Sequence, residues 1–229
     1  MDSREEAKWA AARGALEYVQ DGMHIGLGTG STACKFVELL AELAKEKNWK
    51  FVCVPTSEVT AKQARDLGLK LDGSYPDFGK LDIVVDGADE IDPHGNLTKG
   101  GGGALLREKY VALNSGKMIV VVDEAKHVEH LGDTFKLPVE IVAFAWTSTM
   151  QRIAPYVKSM ELRKRDGKIF VTDQGNYIVD CELYAASDPV QLHEHLKALT
   201  GVVETGIFPH IAKVCITGLA DGGSRKQEF

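Results

Sequence analysis

The sequence predicts an α/β fold: a Rossmann-like, doubly wound parallel sheet with an inserted smaller α+β domain. Two patterns lead there. Short apolar runs alternate with stretches of helical period, and strands buried on both faces with helices between them make a parallel sheet. From about residue 132 to 209 the order becomes β-α-β-β-α-β, that of a split βαβ unit. At 229 residues the chain has room for a core domain and a smaller companion.

Residues 5–20 read as an amphipathic helix with Trp9, Ala12, Leu16 and Val19 at helical spacing, ended by Asp21-Gly22. Met23–Gly26 follows as a buried strand. A second helix opens at Ser31 and puts Phe36, Leu39, Leu40 and Leu43 on one face. Phe51–Val54 is the next strand, and a helix runs from about Glu58 to Leu67. Leu81–Val85 and Met118–Val122 are two further strands, separated by a glycine-rich loop and a helix around Leu105–Leu113. Ala212–Thr217 supplies a last strand, and Ser224–Phe229 is expected to fray.

Inside the insertion, Val139–Phe144 reads as a strand and Ser148–Val157 as a helix. Ile169–Val171 and Tyr177–Val179 have the pattern of a hairpin across Asp173-Gln174-Gly175. Asp188-Pro189 is an N-cap followed by proline at the first helical position, opening a helix to about Leu199. Gly201–Val203 closes the set. The expected domains are 1–131 with 210–229, and 132–209.

Hydrophobic residues make up 44% of the chain and charged residues 26%, a globular balance that argues against long disorder. Lys+Arg number 27 against 33 Asp+Glu; with a net charge of −6 and no basic stripe, no nucleic-acid partner is expected. The longest purely aliphatic run, Met118–Val122, is too short to span a bilayer, and the charged stretch Met1–Lys8 is unlike a signal peptide. Cys34, Cys53, Cys181 and Cys215 lie far apart with no Cys-x-x-Cys and read as free, mainly buried thiols of a reducing, cytoplasmic protein. The histidine pairs His127/His130 and His193/His195 lack acidic or cysteine partners at ligand spacing and read as surface or helix-cap residues.

Three segments that follow strands carry the chemistry, and ligands of open parallel sheets bind outside the carboxyl ends of strands. These segments are therefore expected to converge. The first is Gly26-Leu27-Gly28-Thr29-Gly30-Ser31-Thr32. Glycines admit an anion close to the backbone, a helix start offers free N–H groups, and Thr29, Ser31 and Thr32 add hydroxyls. Ser31 stands where the dinucleotide fingerprint has its third glycine, and the lysine of a P-loop is missing. On these residues alone, a phosphate site and a structural turn both stand.

The second segment is Asp86-Gly87-Ala88-Asp89-Glu90. Carboxylates so close repel one another, which suits a metal site, a proton-handling site or a solvated turn. The third is Lys99-Gly100-Gly101-Gly102-Gly103-Ala104-Leu105-Leu106-Arg107-Glu108-Lys109. Four consecutive glycines are entropically costly, so something there requires bare backbone. Glu108, near the start of the helix that follows, reads either as a general base or as an ordinary surface residue paired with lysine.

Together GLGTGSTA, DGADE and KGGGGALLREK, in this order and spacing, resemble the type A family of ribose-5-phosphate isomerases. The similarity extends over essentially the whole chain, including the insertion and Val121–Lys126. It implies reversible conversion of ribose 5-phosphate to ribulose 5-phosphate through an enediol in the pentose phosphate pathway, with no metal and no cofactor. Glu108 matches the family's general base, which moves a proton between C2 and C1. Thr29, Gly30, Ser31 and Thr32 match one substrate-binding segment; Asp86, Gly87, Ala88 and Asp89 match a second; Lys99, Gly100, Gly101 and Gly102 match the third. Lys126 matches a further substrate-binding lysine, and Lys8 aligns with one that contacts phosphate. Leu106 departs from the family, where a polar residue is common.

Physical chemistry fits these roles. Lys99 would stabilise charge on the enediolate oxygens, while Asp86 and Asp89 would handle hydroxyl protons. The rivals are a magnesium site on Asp86, Asp89 and Glu90; a sugar-phosphate deaminase, lactonase or coenzyme A transferase of related fold; and a non-catalytic sugar-phosphate sensor. About 22 residues precede the first strand, too few for the DNA-reading module that such a sensor usually carries. The family resemblance further implies a homodimer or homotetramer.

Overall fold

Alternating helices and strands fill the computed structural model, which describes residues 3–72 and 77–229. The first half contains α1 (Ser3–Ala15), β1 (His24–Leu27), α2 (Ser31–Lys47), β2 (Val52–Pro55), α3 (Glu58–Asp66) and β3 (Leu81–Asp86). Next come β4 (Glu90–Ile91), β5 (Leu97–Thr98), α4 (Leu105–Leu113) and β6 (Ser115–Asp123). There follow β7 (Leu137–Ile141), α5 (Trp146–Ile153), β8 (Ser159–Leu162), β9 (Lys164–Arg165), β10 (Lys168–Ile169) and β11 (Tyr177–Glu182). Finally come α6 (Pro189–Lys197), β12 (Val202–Thr205), β13 (Ile207–Phe208), β14 (Ala212–Gly218) and β15 (Ser224–Glu228).

The chain divides into two units, Met1–Ala88 with Arg107–Lys126 and Ile211–Phe229, and Asp89–Leu106 with His127–His210. Residues 89–106 and 127–131 thus group with the second unit, whereas the sequence reading kept them in the first. The cause is pairing: β5 lies between β4 and β13, and Val128 N donates to Ile91 O at 3.0 Å.

In the first unit the sheet runs β15-β14-β6-β3-β1-β2. All its neighbours are parallel except β14 and β15. Ile25 and Leu27 of β1 point into a core with α1 and α2. Gly26 faces the other way, where a Cβ would lie 2.5 Å from Val111 of α4. Helices therefore cover both faces, as continuously apolar strands require. The buried stripe of α1 is Ala7, Ala10, Ala11, Ala12 and Ala15; Trp9 and Leu16 are only half-buried. Small side chains let the helix approach closely, and Gly218 has no room for a Cβ, which would fall 1.7 Å from Ala7 O. Ser224–Glu228, expected to fray, instead pairs antiparallel with β14 from Val214↔Glu228 to Gly218↔Ser224.

The second unit holds a sheet ordered β12-β7-β11-β8 with antiparallel neighbours, the split βαβ arrangement. Leu137, Val139 and Ile141 of β7 pack into a core with Ile153, Leu192 and Leu196 from α5 and α6. Asp188 caps α6, its Oδ1 accepting from Val190 N at 2.9 Å and Gln191 N at 3.1 Å, with Pro189 at the first turn. The hairpin differs from expectation: Ile169 pairs with Lys164 across Asp166-Gly167, while β11 pairs with β7 and β8. Asp166 and Gly167 both adopt positive φ, 52° and 74°, which makes them the tighter turn. All four cysteines are free; burial pushes the Cys53 and Cys181 thiols up to about 12 and that of Cys215 to about 11.

Candidate active site

From β1 the chain moves outward to β2 and then returns to β3 on the other side of β1. Loops leaving β1 and β3 diverge at such a switch point and open a crevice at the carboxyl ends of the strands. Here the loop after β1 is built against the end of β3. Gly28 N donates to Val85 O at 3.0 Å, and Thr29 N donates to Asp86 Oδ1 at 3.0 Å. No side chain fits at position 28, where a Cβ would lie 2.2 Å from Asp86 Oδ1.

Gly30, at φ 127°, is the N-cap of α2 and has no side chain to occupy the first N–H groups of that helix. An open helix start favours an anion. Ser31 is exposed there, and Thr32 is nearly buried. The Thr29 hydroxyl is tied into a buried cluster, 2.7 Å from Thr56 Oγ1, 2.8 Å from Ser57 Oγ and 3.2 Å from Thr60 Oγ1. Thr60 in turn donates to Gly28 O at 3.0 Å. Sequence reading missed this brace, although Thr56-Ser57 directly after a strand, with Thr60 one turn on, is its visible trace.

Asp86 ends β3 with no exposed surface, its Oδ1 also accepting from Gly87 N at 2.8 Å. Glu108 lies in the first turn of α4 and is 4% exposed, which excludes the surface-residue reading. Its neighbour Arg107 turns instead to Glu58 of α3, 2.8 Å away. Lys126 closes a 3-10 turn after β6 and is half-buried. Lys8 is engaged by Glu5 at 2.5 Å, and Lys35 reaches the other oxygen of Glu5 at 2.9 Å. These two lysines hold the Glu5 carboxyl down at about 2.

In the second unit, Asp89 N donates to Thr98 O at 2.8 Å, and Asp89 Oδ2 accepts from Gly101 N at 2.8 Å. Gly101 must be bare because a Cβ would sit 2.6 Å from Asp89 Oδ1. Lys99 is 2% exposed, with its ammonium 5.7 Å from the Phe208 ring centroid. Glu90 has a purely structural place. Its carboxylate accepts from Gly132 N, Thr134 N, Thr134 Oγ1 and Phe135 N at 2.6–2.8 Å. That engagement takes Glu90 out of any magnesium site with Asp86 and Asp89. Among the described residues no three His, Cys, Asp or Glu side chains group as metal ligands. His193 Nδ1 lies 2.7 Å from Thr205 Oγ1, and the His195 ring packs on Tyr156 with centroids 5.6 Å apart.

A doubly wound sheet with a glycine cradle at its switch point, a helix start open to anions and the buried Asp86 carboxylate beside that cradle suits a small anionic ligand. Comparison with known proteins narrows this. Residues 52–222 match the family described as ribose 5-phosphate isomerase A (phosphoriboisomerase A). Ribose-5-phosphate isomerase A of Synechococcus sp. (strain JA-3-3Ab) is 43% identical over 224 residues, 97% of each chain. The protein of that name from Staphylococcus aureus (strain COL) is 43% identical over 90% of this chain and 91% of its own. Among solved structures, ribose 5-phosphate isomerase from Plasmodium falciparum superposes with a TM-score of 0.91 at 39% identity, covering 100% of this chain and 99% of its own. A D-ribose-5-phosphate isomerase in complex with phospho-erythronic acid gives a TM-score of 0.91 at 37% identity over 97% of each chain. The chain belongs to the ribose 5-phosphate isomerase A family.

Proposed function

We propose that this protein is an aldose-ketose isomerase that interconverts D-ribose 5-phosphate and D-ribulose 5-phosphate, a step of the non-oxidative pentose phosphate pathway. The observation that carries the mechanism is the burial of Glu108 in the first turn of α4, at 4% exposure. A carboxylate screened from bulk water can take the proton from C2 and return it to C1, passing through an enediol or enediolate. Lys99 stabilises the negative charge that grows on the enediolate oxygens, an effect strongest where water is excluded. Asp86 and Asp89 carry hydroxyl protons during ring opening and enediol interconversion.

The binding residues are Thr29–Thr32, Asp86–Asp89, Lys99–Gly102, Lys126 and Lys8. With a net charge of −6 the protein attracts a sugar phosphate through local groups, namely lysines and the open N–H groups at the start of α2. Lys8 must exchange its Glu5 partner for phosphate to take part. A relative solved with phospho-erythronic acid supports an open-chain, phosphorylated sugar as the occupant. The scheme uses no cofactor. Family membership implies a homodimer or homotetramer, the free cysteines suit a reducing, cytoplasmic setting, and no described helix is long and apolar enough to cross a membrane.

Steady-state kinetics of Glu108→Gln test the scheme. Turnover on ribose 5-phosphate is expected to fall ~10²–10⁴-fold with KM little changed. Near-normal turnover would remove Glu108 from proton transfer. Amino-sugar phosphates and acyl-CoA assayed alongside separate the deaminase and transferase readings, and binding of ribose 5-phosphate without turnover by the unaltered protein would leave a sensor.

A further inference from the structure

We propose that Arg163 is a positioning residue for Asp89, acting through the one peptide group that joins Gly100 to Gly101. The proposal rests on the reading above, in which Asp89 acts on the substrate. The carbonyl of that peptide, Gly100 O, accepts from Arg163 Nη1 at 2.7 Å. Its amide, Gly101 N, donates to Asp89 Oδ2 at 2.8 Å. A peptide is a rigid plane, so fixing the oxygen aims the N–H at the carboxylate. A guanidinium on the oxygen also polarises the amide and strengthens its donation.

The glycine run holds this orientation only in part. Gly103 N also donates to Gly100 O at 3.0 Å, but Gly100 sits at φ 105° and neither Gly100 nor Gly101 has a side chain to anchor, so the second restraint on that carbonyl comes from outside the run. Arg163 is well placed to supply it. Its Nε donates to Asp180 Oδ2 at 2.8 Å while Nη2 donates to Asp180 Oδ1, and the two side chains are 12% and 17% exposed. A two-pronged pair of this kind fixes the plane of the guanidinium. The backbone is pinned as well, with Arg163 N donating to Ile178 O at 2.8 Å and Arg163 O accepting from Phe170 N at 3.0 Å. Nη1 has a second, longer contact with Gly101 O at 3.3 Å. The order of restraint thus runs from Asp180 through Arg163 and the glycine peptide to Asp89.

A double-mutant cycle on ribose 5-phosphate isomerisation tests this, using Arg163→Gln, Asp89→Asn and the double variant, each checked by circular dichroism and thermal melting. Arg163→Gln is expected to lower kcat ~10–100-fold with KM within ~3-fold, the scale of a misplaced reacting group. In the Asp89→Asn background the same change should cost less than ~2-fold, because the group it positions is gone. Arg163→Lys should restore little, since an ammonium cannot grip Asp180 in a fork and also hold the carbonyl. Losses that multiply in the double variant overturn the proposal, as does wild-type kcat in Arg163→Gln beside an impaired Asp89→Asn. Normal kcat in Asp89→Asn would instead refute the role of Asp89 itself, and the proposal with it. If Arg163→Gln does not fold, Asp180→Asn completes the same cycle with the same readings.

Discussion

Gly28 and Gly30 stand two residues apart and are glycines for different reasons. At Gly28 the constraint is space, since a Cβ would meet Asp86 Oδ1 at 2.2 Å and its Cα at 2.6 Å. At Gly30 the space is open, and a φ of 127° is what a side chain would resist. Gly28→Ala must therefore push the Asp86 carboxylate off the loop that it joins to β3. We expect kcat/KM to fall ~10²-fold and stability to drop by about 1–3 kcal/mol, as for overpacking in general. Kinetics and urea unfolding check both, and a variant with wild-type kcat/KM would show that the close approach is dispensable. The sequence made these glycines conspicuous, but nothing in it said that the backbone makes room for a carboxylate 58 residues further along.

Elements were legible where their signals were local. Asp188-Pro189 marked the start of α6, and the cap is present as expected because its bonds join residues two and three apart. β15 was missed for the opposite reason. All five of its residues are exposed, so no apolar alternation betrays the strand, and its order comes from pairing with β14. It covers the edge of an apolar strand with charged, solvated side chains, a known guard against edge-to-edge association. Deleting 224–229 should lower Tm by about 2–4 °C for each kcal/mol of pairing lost and promote self-association. Differential scanning calorimetry and light scattering measure these, and an unchanged Tm would return the segment to the fraying tail first expected. The three hydroxyls around Thr29 and the Arg163 hairpin were likewise hidden, since single polar residues carry no period.

At the scale of the whole molecule, one buried carboxyl adds its own contribution to the pH dependence of stability. Glu140 of β7 has no exposed surface, and its Oε1 accepts from Thr172 Oγ1 and Asn176 Nδ2 at 2.9 Å each. Burial pushes its pKa above 4.5, with the charge of Glu204 adding to the rise and those two hydrogen bonds opposing it. The folded state therefore keeps this proton after the unfolded chain has lost it. Stability from the group is fully present below pH 4.5 and is lost as pH rises through the folded value. Glu140→Gln removes that term, so a plot of unfolding free energy against pH should slope less steeply downward from pH 4.5 toward neutrality than for wild type. Parallel curves for the two proteins would rule the term out.

By itself the sequence determined the α/β class, the parallel core strands, the split βαβ order and the three motifs, because apolar period, turn chemistry and capping act between residues close in the chain. Tertiary structure alone decided that Glu108 is buried, that Glu90 serves the 132–135 segment, and that 89–106 belongs with the second unit. Burial and strand partnership depend on which distant surfaces meet, and no local pattern encodes that.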